Sequence, residues 1–283
     1  MVIDMHVHPG FFQDICGDRD KTEMRRRRYG LYKTSPYPLE HTLAVMNHAG
    51  IDKSVLLPLD LTTITGETII SNDEVRALVS LAPDRFIGFA SVDPHREDAL
   101  SELVRCFETL GLSGLKLNPS SQKFYPGDAM MAPIYELCIK YDKPILFHSG
   151  LSWEPNAPAK YARPLEFEDV ALEYPGLRIC LAHFGWPWIE ETIMLLIKYP
   201  NVFTDTSLLY LDSPKDFYEQ LFKKNMGPLW IDRNFADKVL FGSNTPRFRP
   251  VRLREGLEKI GLKPRTLEKI LGLNAMNFLK LEA

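Results

Sequence analysis

Short β-branched or apolar runs alternate along the chain with longer stretches in which apolar residues recur at helical spacing. The runs that predict strands are Val2–Met5, Ser54–Leu57, Phe86–Ala90, Gly114–Leu117, Pro144–Phe147, Arg178–Ala182, Val202–Thr204 and Val239–Phe241. Helical patterns lie between them. Leu39–Ala49 sets Leu39, Leu43 and Met46 on one face, and Asn72–Leu81, Arg96–Leu110, Met130–Tyr141, Leu165–Tyr174, Ile189–Tyr199 and Asp216–Asn225 follow the same logic. Ala49-Gly50 and Tyr174-Pro175-Gly176 close helices just before strands. Strands and helices that alternate in this way build a parallel sheet with right-handed crossovers, and eight such units close more naturally into a barrel than they remain open. The pattern therefore predicts an α/β fold, a (β/α)8 TIM barrel filling one domain over residues 1–283, with extra C-terminal helices in Pro250–Gly261 and Pro264–Leu281. An open doubly wound sheet is the alternative. Its glycine-rich phosphate turn is missing after the first strand, where His6-Val7-His8-Pro9 stands. Gly10–Pro38 and Gly227–Asp237 are too long for tight turns, and the first follows a strand's carboxyl end, the face where barrels keep their active sites.

Composition narrows the class. A chain of 283 residues suits a barrel, which needs about 250. With 45% hydrophobic and 25% charged residues it can build a core without staples. A formal charge of −3 argues against a nucleic-acid or membrane-surface binder, and the run Arg25–Arg28 reads as a solvated face. Cys16, Cys106, Cys138 and Cys180 are scattered without the spacing of a structural zinc site, so a reduced, cytoplasmic protein is expected. The amino terminus has no secretory pattern, and no apolar run approaches the ~20 residues of a membrane span.

The histidines carry the chemistry. His6 and His8 end the first strand one residue apart, so both imidazoles can face one point at the barrel mouth. His148 ends the fifth strand and His183 the sixth. In a closed barrel these ends share one rim, which brings four of the seven histidines to one pocket. Imidazoles on rigid elements suit a borderline divalent cation such as zinc, manganese or iron. His41, His48 and His95 fall in or beside helices and read as structural or solvated.

With these positions in place, the chain resembles the amidohydrolase superfamily, and within it the amidohydrolase-2 group, which includes aminocarboxymuconate-semialdehyde and γ-resorcylate decarboxylases with related hydrolases and hydratases. The resemblance rests on Ile3-Asp4-Met5-His6-Val7-His8, Gly114-Leu115-Lys116-Leu117, Pro144-Ile145-Leu146-Phe147-His148-Ser149-Gly150 and Leu181-Ala182-His183-Phe184-Gly185. It continues through Asn201-Val202-Phe203-Thr204-Asp205-Thr206-Ser207, Gly242-Ser243-Asn244-Thr245-Pro246 and Leu271-Gly272-Leu273-Asn274-Ala275. It implies that His6, His8 and His148 hold a divalent metal, zinc first and manganese second, and that His183 orients or protonates water or substrate. The family's aspartate at the eighth strand binds the metal and exchanges the proton; here Asn244 occupies that position. An amide is nearly isosteric with a carboxylate but cannot act as a base, and its carbonyl oxygen is a weaker metal ligand. Either the chain is a disabled form of an active enzyme, or asparagine is natural and the protein uses another base or has lost activity.

The implied reaction is hydrolysis or non-oxidative decarboxylation of a small carboxylated or cyclic compound; the alternative is a non-catalytic metal- or ligand-binding relative. Lys116 reads as a substrate contact, a carbamylated bridge between two metals, or a lysine paired under the rim. Trp186 and Trp188 either wall a planar substrate or fill the gap between loop and helix, and the wall is expected of Trp186 alone; Arg247 is expected to hold a substrate carboxylate through two hydrogen bonds, while Arg249 reads as surface charge. Asp205 and Ser207 are expected to brace the site from behind. The resemblance and the extra helices together imply a homodimer or larger closed assembly.

Overall fold

The structure, a computed structural model, describes residues 1–207, 213–224 and 226–282. Its strands are β1 (Ile3–Val7), β2 (Lys53–Leu56), β3 (Leu59–Leu61), β4 (Glu67–Ile70), β5 (Phe86–Gly88), β6 (Leu115–Leu117), β7 (Ile145–Phe147), β8 (Ile179–Leu181), β9 (Val202–Asp205) and β10 (Val239–Leu240). Eight of these coincide with the eight strands that the hydrophobic pattern predicts, and they are parallel, in the orders β1-β2-β5 and β10-β9-β8-β7-β6. Single bridges join the two sheets at each seam. Lys116 N donates to Ala90 O at 2.7 Å on one side. On the other, Met5 N donates to Phe241 O at 2.9 Å and His8 N to Thr245 O at 2.7 Å. The result is the expected (β/α)8 barrel, with continuous ladders interrupted at both seams.

Two apolar layers hold it. Ile3, Met5, Val55, Phe89, Leu146 and Phe203 belong to an inner cluster, which the C-terminal helix Asn274–Leu279 closes from below. Phe278 of that helix meets Phe203 edge-on, with ring centroids 5.1 Å apart. The larger cluster lies between the strands and the surrounding helices. Those helices are the expected ones with ends moved by a few residues, such as Asn72–Leu81 and Ile189–Lys198. The expected helix over Asp216–Asn225 appears as Pro214–Glu219 with one wider turn through Lys224, and Asn225 lies outside the described residues.

The first long connection holds a feature the pattern does not predict. Arg19–Tyr29 is an 11-residue helix, here called α1. It has no apolar stripe to announce it, and its ends define it instead. Asp18 accepts hydrogen bonds from Asp20 N and Lys21 N, and Gly30 closes the last turn at φ 65°. The antiparallel pair β3–β4, also unpredicted, follows β2 on the same rim.

The arginine run corrects the sequence reading. Arg25 is fully buried rather than solvated. Its guanidinium donates to Ile15 O at 2.6 Å, Ile69 O at 2.8 Å and Glu74 Oε1 at 2.7 Å. A planar fork of donors reaches two carbonyls and a carboxylate at once, which offsets the cost of burying the charge. Arg27 alone of the four is exposed. Arg25→Met should therefore lower the stability of unfolding by about 3 kcal/mol, because it strands buried acceptors. Urea denaturation that differs from the parent by less than about 1 kcal/mol would contradict this.

Candidate metal centre

The site begins with an irregularity in β1. Ile3 and Met5 belong to the inner cluster, yet His6, of opposite parity, reaches the same interior. The register between β1 and β2 slips between Asp4 and Val7, and such a bulge re-aims the residues that follow it. Asp4, fully buried, accepts the displaced His6 N at 3.1 Å and Ser243 N at 2.9 Å. His6 and His8 then meet, with their Nε2 atoms 3.2 Å apart.

Behind them stands the end of β9. Asp205 accepts from His6 Nδ1 at 2.8 Å, from His183 N at 2.8 Å, from Ser207 N at 3.1 Å and from the Ser207 hydroxyl. A carboxylate that takes the Nδ1 proton leaves His6 Nε2 as an acceptor aimed at the pocket. Ser207 Oγ also lies 2.7 Å from His183 Nδ1. His183, Phe184 and Gly185 are all left-handed, at φ 60°, 54° and 63°. This turn carries the imidazole off the strand axis, and burial of Phe184 against Phe222 and Trp230 holds a conformation an aromatic residue rarely adopts. At the end of β7, His148 precedes Gly150 at φ 88°, where a Cβ atom would come within 2.2 Å of Trp186 O. That carbonyl also accepts Leu151 N at 2.8 Å. Trp186 thus buttresses the β7 loop through its backbone.

The donors fit a divalent cation. His6, His183 and Asp205 offer ligand atoms within 4.8 Å of one another. Asp205 already accepts four hydrogen bonds, so it is better suited to bracing His6 than to ligation. His8 lines the same pocket, and the buried His148 Nε2 there has no hydrogen-bond partner among the described residues. Buried Lys116 Nζ also lacks one, and burial lowers its ammonium to about 8. Burial, with Lys116 beside it, pushes His148 down to about 3, and burial likewise holds His6 and His183 well below their ordinary range. Neutral imidazoles are the form that ligates. Asn244 lines the pocket at φ 60°, a conformation asparagine tolerates better than most residues, and its N donates to His6 O at 2.9 Å.

Above the histidines the rim is made of segments from five places, one of them Asn118 and Ser121 after β6. Arg28 and Tyr29 come from α1, Leu59 and Ile69 from the hairpin, Trp153 and Glu154 from the β7 loop, and Arg247 from the β10 loop. The Arg247 guanidinium donates to Tyr29 O at 2.9 Å and lies over the Trp153 ring at 5.2 Å. The structure therefore brings Lys116, His183, Asn244 and Arg247 together with His6, His8 and His148. It does not bring Trp186, whose side chain packs against the outer core; the aromatic faces on the pocket are Tyr29 and Trp153. His41, His48 and His95 are exposed, as is Arg249. Tyr29, Trp153 and Glu154 carry no motif, and only loop geometry reveals them.

The buried histidines make stability depend on pH. His6, His148 and His183 stay neutral in the fold but gain protons below about 6.5 once unfolded. Asp4 works in the opposite direction. Burial raises its carboxyl to about 7, so it favours the fold at low pH and loses that contribution as pH rises through 7. Three imidazoles outweigh one carboxyl. Chelator-treated protein should lose at least about 1.4 kcal/mol of stability per pH unit as pH falls from 6.5 to 5. Urea midpoints that stay level or rise over that interval would refute the assignment of neutral buried imidazoles.

Comparison with known proteins bears on the family and the fold. The amidohydrolase profile of the Amidohydro_2 family matches residues 3–281. The chain is 26% identical over 246 residues to a 2-amino-3-carboxymuconate-6-semialdehyde decarboxylase of Dictyostelium discoideum, covering 75% of this chain and 66% of that one. It is 24% identical over 176 residues to a 2-keto-4-carboxy-3-hexenedioate hydratase of Sphingobium sp. strain SYK-6, covering 49% of this chain and 50% of the relative. The chain thus spans about half to two thirds of the length of these relatives. Among solved structures, a dihydroxybenzoic acid decarboxylase from Polaromonas sp. JS666, with bound manganese and the inhibitor 2-nitroresorcinol, superposes with a TM-score of 0.69. The two are 21% identical, over 100% of this chain and 98% of that one. The profile match over nearly the whole chain establishes that this protein belongs to the amidohydrolase-2 family.

Proposed function

We propose that the protein is a metal-dependent enzyme that hydrates, hydrolyses or decarboxylates a small carboxylated compound. The observation that carries this reading is the pair of imidazole Nε2 atoms, 3.2 Å apart, beside the unpartnered His148 Nε2. In this reading His6, His8 and His148 hold the ion, zinc or manganese, with the Asn244 carbonyl as a weaker fourth donor. When bound, such an ion polarises substrate oxygens and makes water more acidic.

The chain's own groups do the rest. His183, braced at Nδ1 by Ser207, lines the pocket, where its other nitrogen orients the substrate through a hydrogen bond. Lys116 and Arg247 supply positive charge for carboxylate oxygens, and Arg247 is already oriented by Tyr29 and Trp153. The Tyr29 and Trp153 faces suit a planar, conjugated acid. Carboxylated substrates of the decarboxylase and hydratase relatives support that class. Asn244 favours a second reading, a binding protein that kept the site without the acid. A carboxylate elsewhere in the pocket weighs against it.

Two outcomes are expected. The purified protein should retain close to one equivalent of zinc or manganese, and the His6→Ala, His8→Ala double variant should retain almost none. Plasma emission spectrometry measures both, and equal content in the two proteins would end the proposal. Asn244→Asp should tighten metal binding about tenfold or more with little change in fold, because a carboxylate replaces a neutral donor of nearly equal volume. Competition with a chelating dye reads the constant, and an unchanged value would mean that residue 244 does not reach the ion.

A further inference from the structure

With Asn244 at the eighth strand, the proposed reaction lacks the acid–base group that the family resemblance implies there. The carboxylates nearest the histidines do not replace it. Asp205 is fully buried behind His6, with its oxygens taken by His6, His183 and Ser207. Asp4 lies beneath the bulge, where it holds His6 N and Ser243 N. Neither faces the pocket. Among the described residues that line it, Glu154 is the one carboxylate.

Glu154 is placed for use. It enters from the β7 loop six residues after His148, beside Trp153, whose ring the Arg247 guanidinium covers. Ser121 Oγ donates to Glu154 Oε2 at 3.2 Å, and Arg28 Nη1 lies 3.6 Å from Oε1. These contacts draw on two separate connections, α1 and the segment after β6, so the carboxylate is held from both sides. Its side chain is 18% exposed, which leaves it open to the pocket. One hydroxyl and one distant guanidinium leave acceptor capacity on both oxygens.

We infer that Glu154 is the general base of this enzyme, doing from the β7 loop what a carboxylate at position 244 would do from the end of β10. The inference rests on the metal-dependent reading above and narrows it to addition of water. The oxygen of a water molecule forms a bond to an electrophilic carbon of the bound carboxylated substrate while one of its O–H bonds breaks. The released proton passes to a Glu154 carboxylate oxygen. Glu154 returns it to the displaced group in a hydrolysis, or to the neighbouring carbon when water adds across a conjugated double bond. No oxidant or further reactant is needed.

The test uses manganese-loaded full-length protein with 2-keto-4-carboxy-3-hexenedioate and 4-nitrophenyl acetate as probes. Turnover is followed across pH, with manganese content and thermal melting measured on every variant. Glu154→Gln should lose roughly 10²–10³-fold in kcat with KM, metal content and melting unchanged, and the acidic limb of its pH profile should vanish. Glu154→Asp should keep part of the activity. In the Asn244→Asp background, Glu154→Gln should cost far less, since a second carboxylate is present. An active parent whose Glu154→Gln variant keeps kcat within threefold overturns the inference. So does an inactive parent that gains turnover on Asn244→Asp, which would leave the metal-dependent reading intact. Equal losses in Glu154→Gln and Glu154→Asp with lowered melting would assign the residue to loop structure and also overturn it. Absence of turnover in every form, with the ion bound, would instead sink the functional reading on which it rests.

Discussion

The carboxylate of Asp205 joins three parts of the barrel that are distant in sequence. One oxygen takes the His6 imidazole of β1, and the other takes the backbone amide of His183 after β8 and the amide of Ser207. Because it is buried completely, each of these bonds is made in a medium that penalises their loss. The orientation of His6, and through it the distance to His8, depends on this anchor. So does the left-handed turn at His183, whose amide would otherwise be stranded inside the barrel. The site is thereby set before any ligand arrives, which reduces the ordering cost of binding.

The barrel was legible because its signal is periodic. Buried parallel strands read as short apolar runs, and each run ends at the rim, so His148 and His183 declared their place by position alone. The His6–His8 pair was legible from its alternate spacing, which sets both rings on one side of the strand. Simple parity places Ile3 and Met5 in the interior and would turn His6 outward; the bulge at Asp4 reverses it. No residue type in that stretch marks the irregularity, so the spacing of the two histidines could tell that they share a side but not which side.

What escaped the sequence lies in the connections. α1 has four consecutive arginines and almost no apolar face, so amphipathic reasoning passes over it, although Asp18 and Gly30 stand at its two ends as cap residues. Arg25 looks like surface charge until Ile15 O, Ile69 O and Glu74 are seen around it. Trp186 looked like a pocket wall because large aromatics often are. The structure sets its ring against the outer core and its carbonyl against Gly150 and Leu151 N. Glu154 belongs to a loop without period or motif, so its meeting with Ser121 and Arg28 was not readable in advance.

The buried bonds of Arg25 have a consequence for how such a protein can change. They fasten α1 to the hairpin and to the helix that begins at Asn72, and all three lie outside the inner barrel cluster. The roof of the pocket therefore has polar joints of its own, beside the apolar contacts by which Met24, Ile69 and Val75 join the barrel's outer layer. Selection can redraw the roof, and with it the shape and charge offered to incoming molecules, while the histidines below stay where they are.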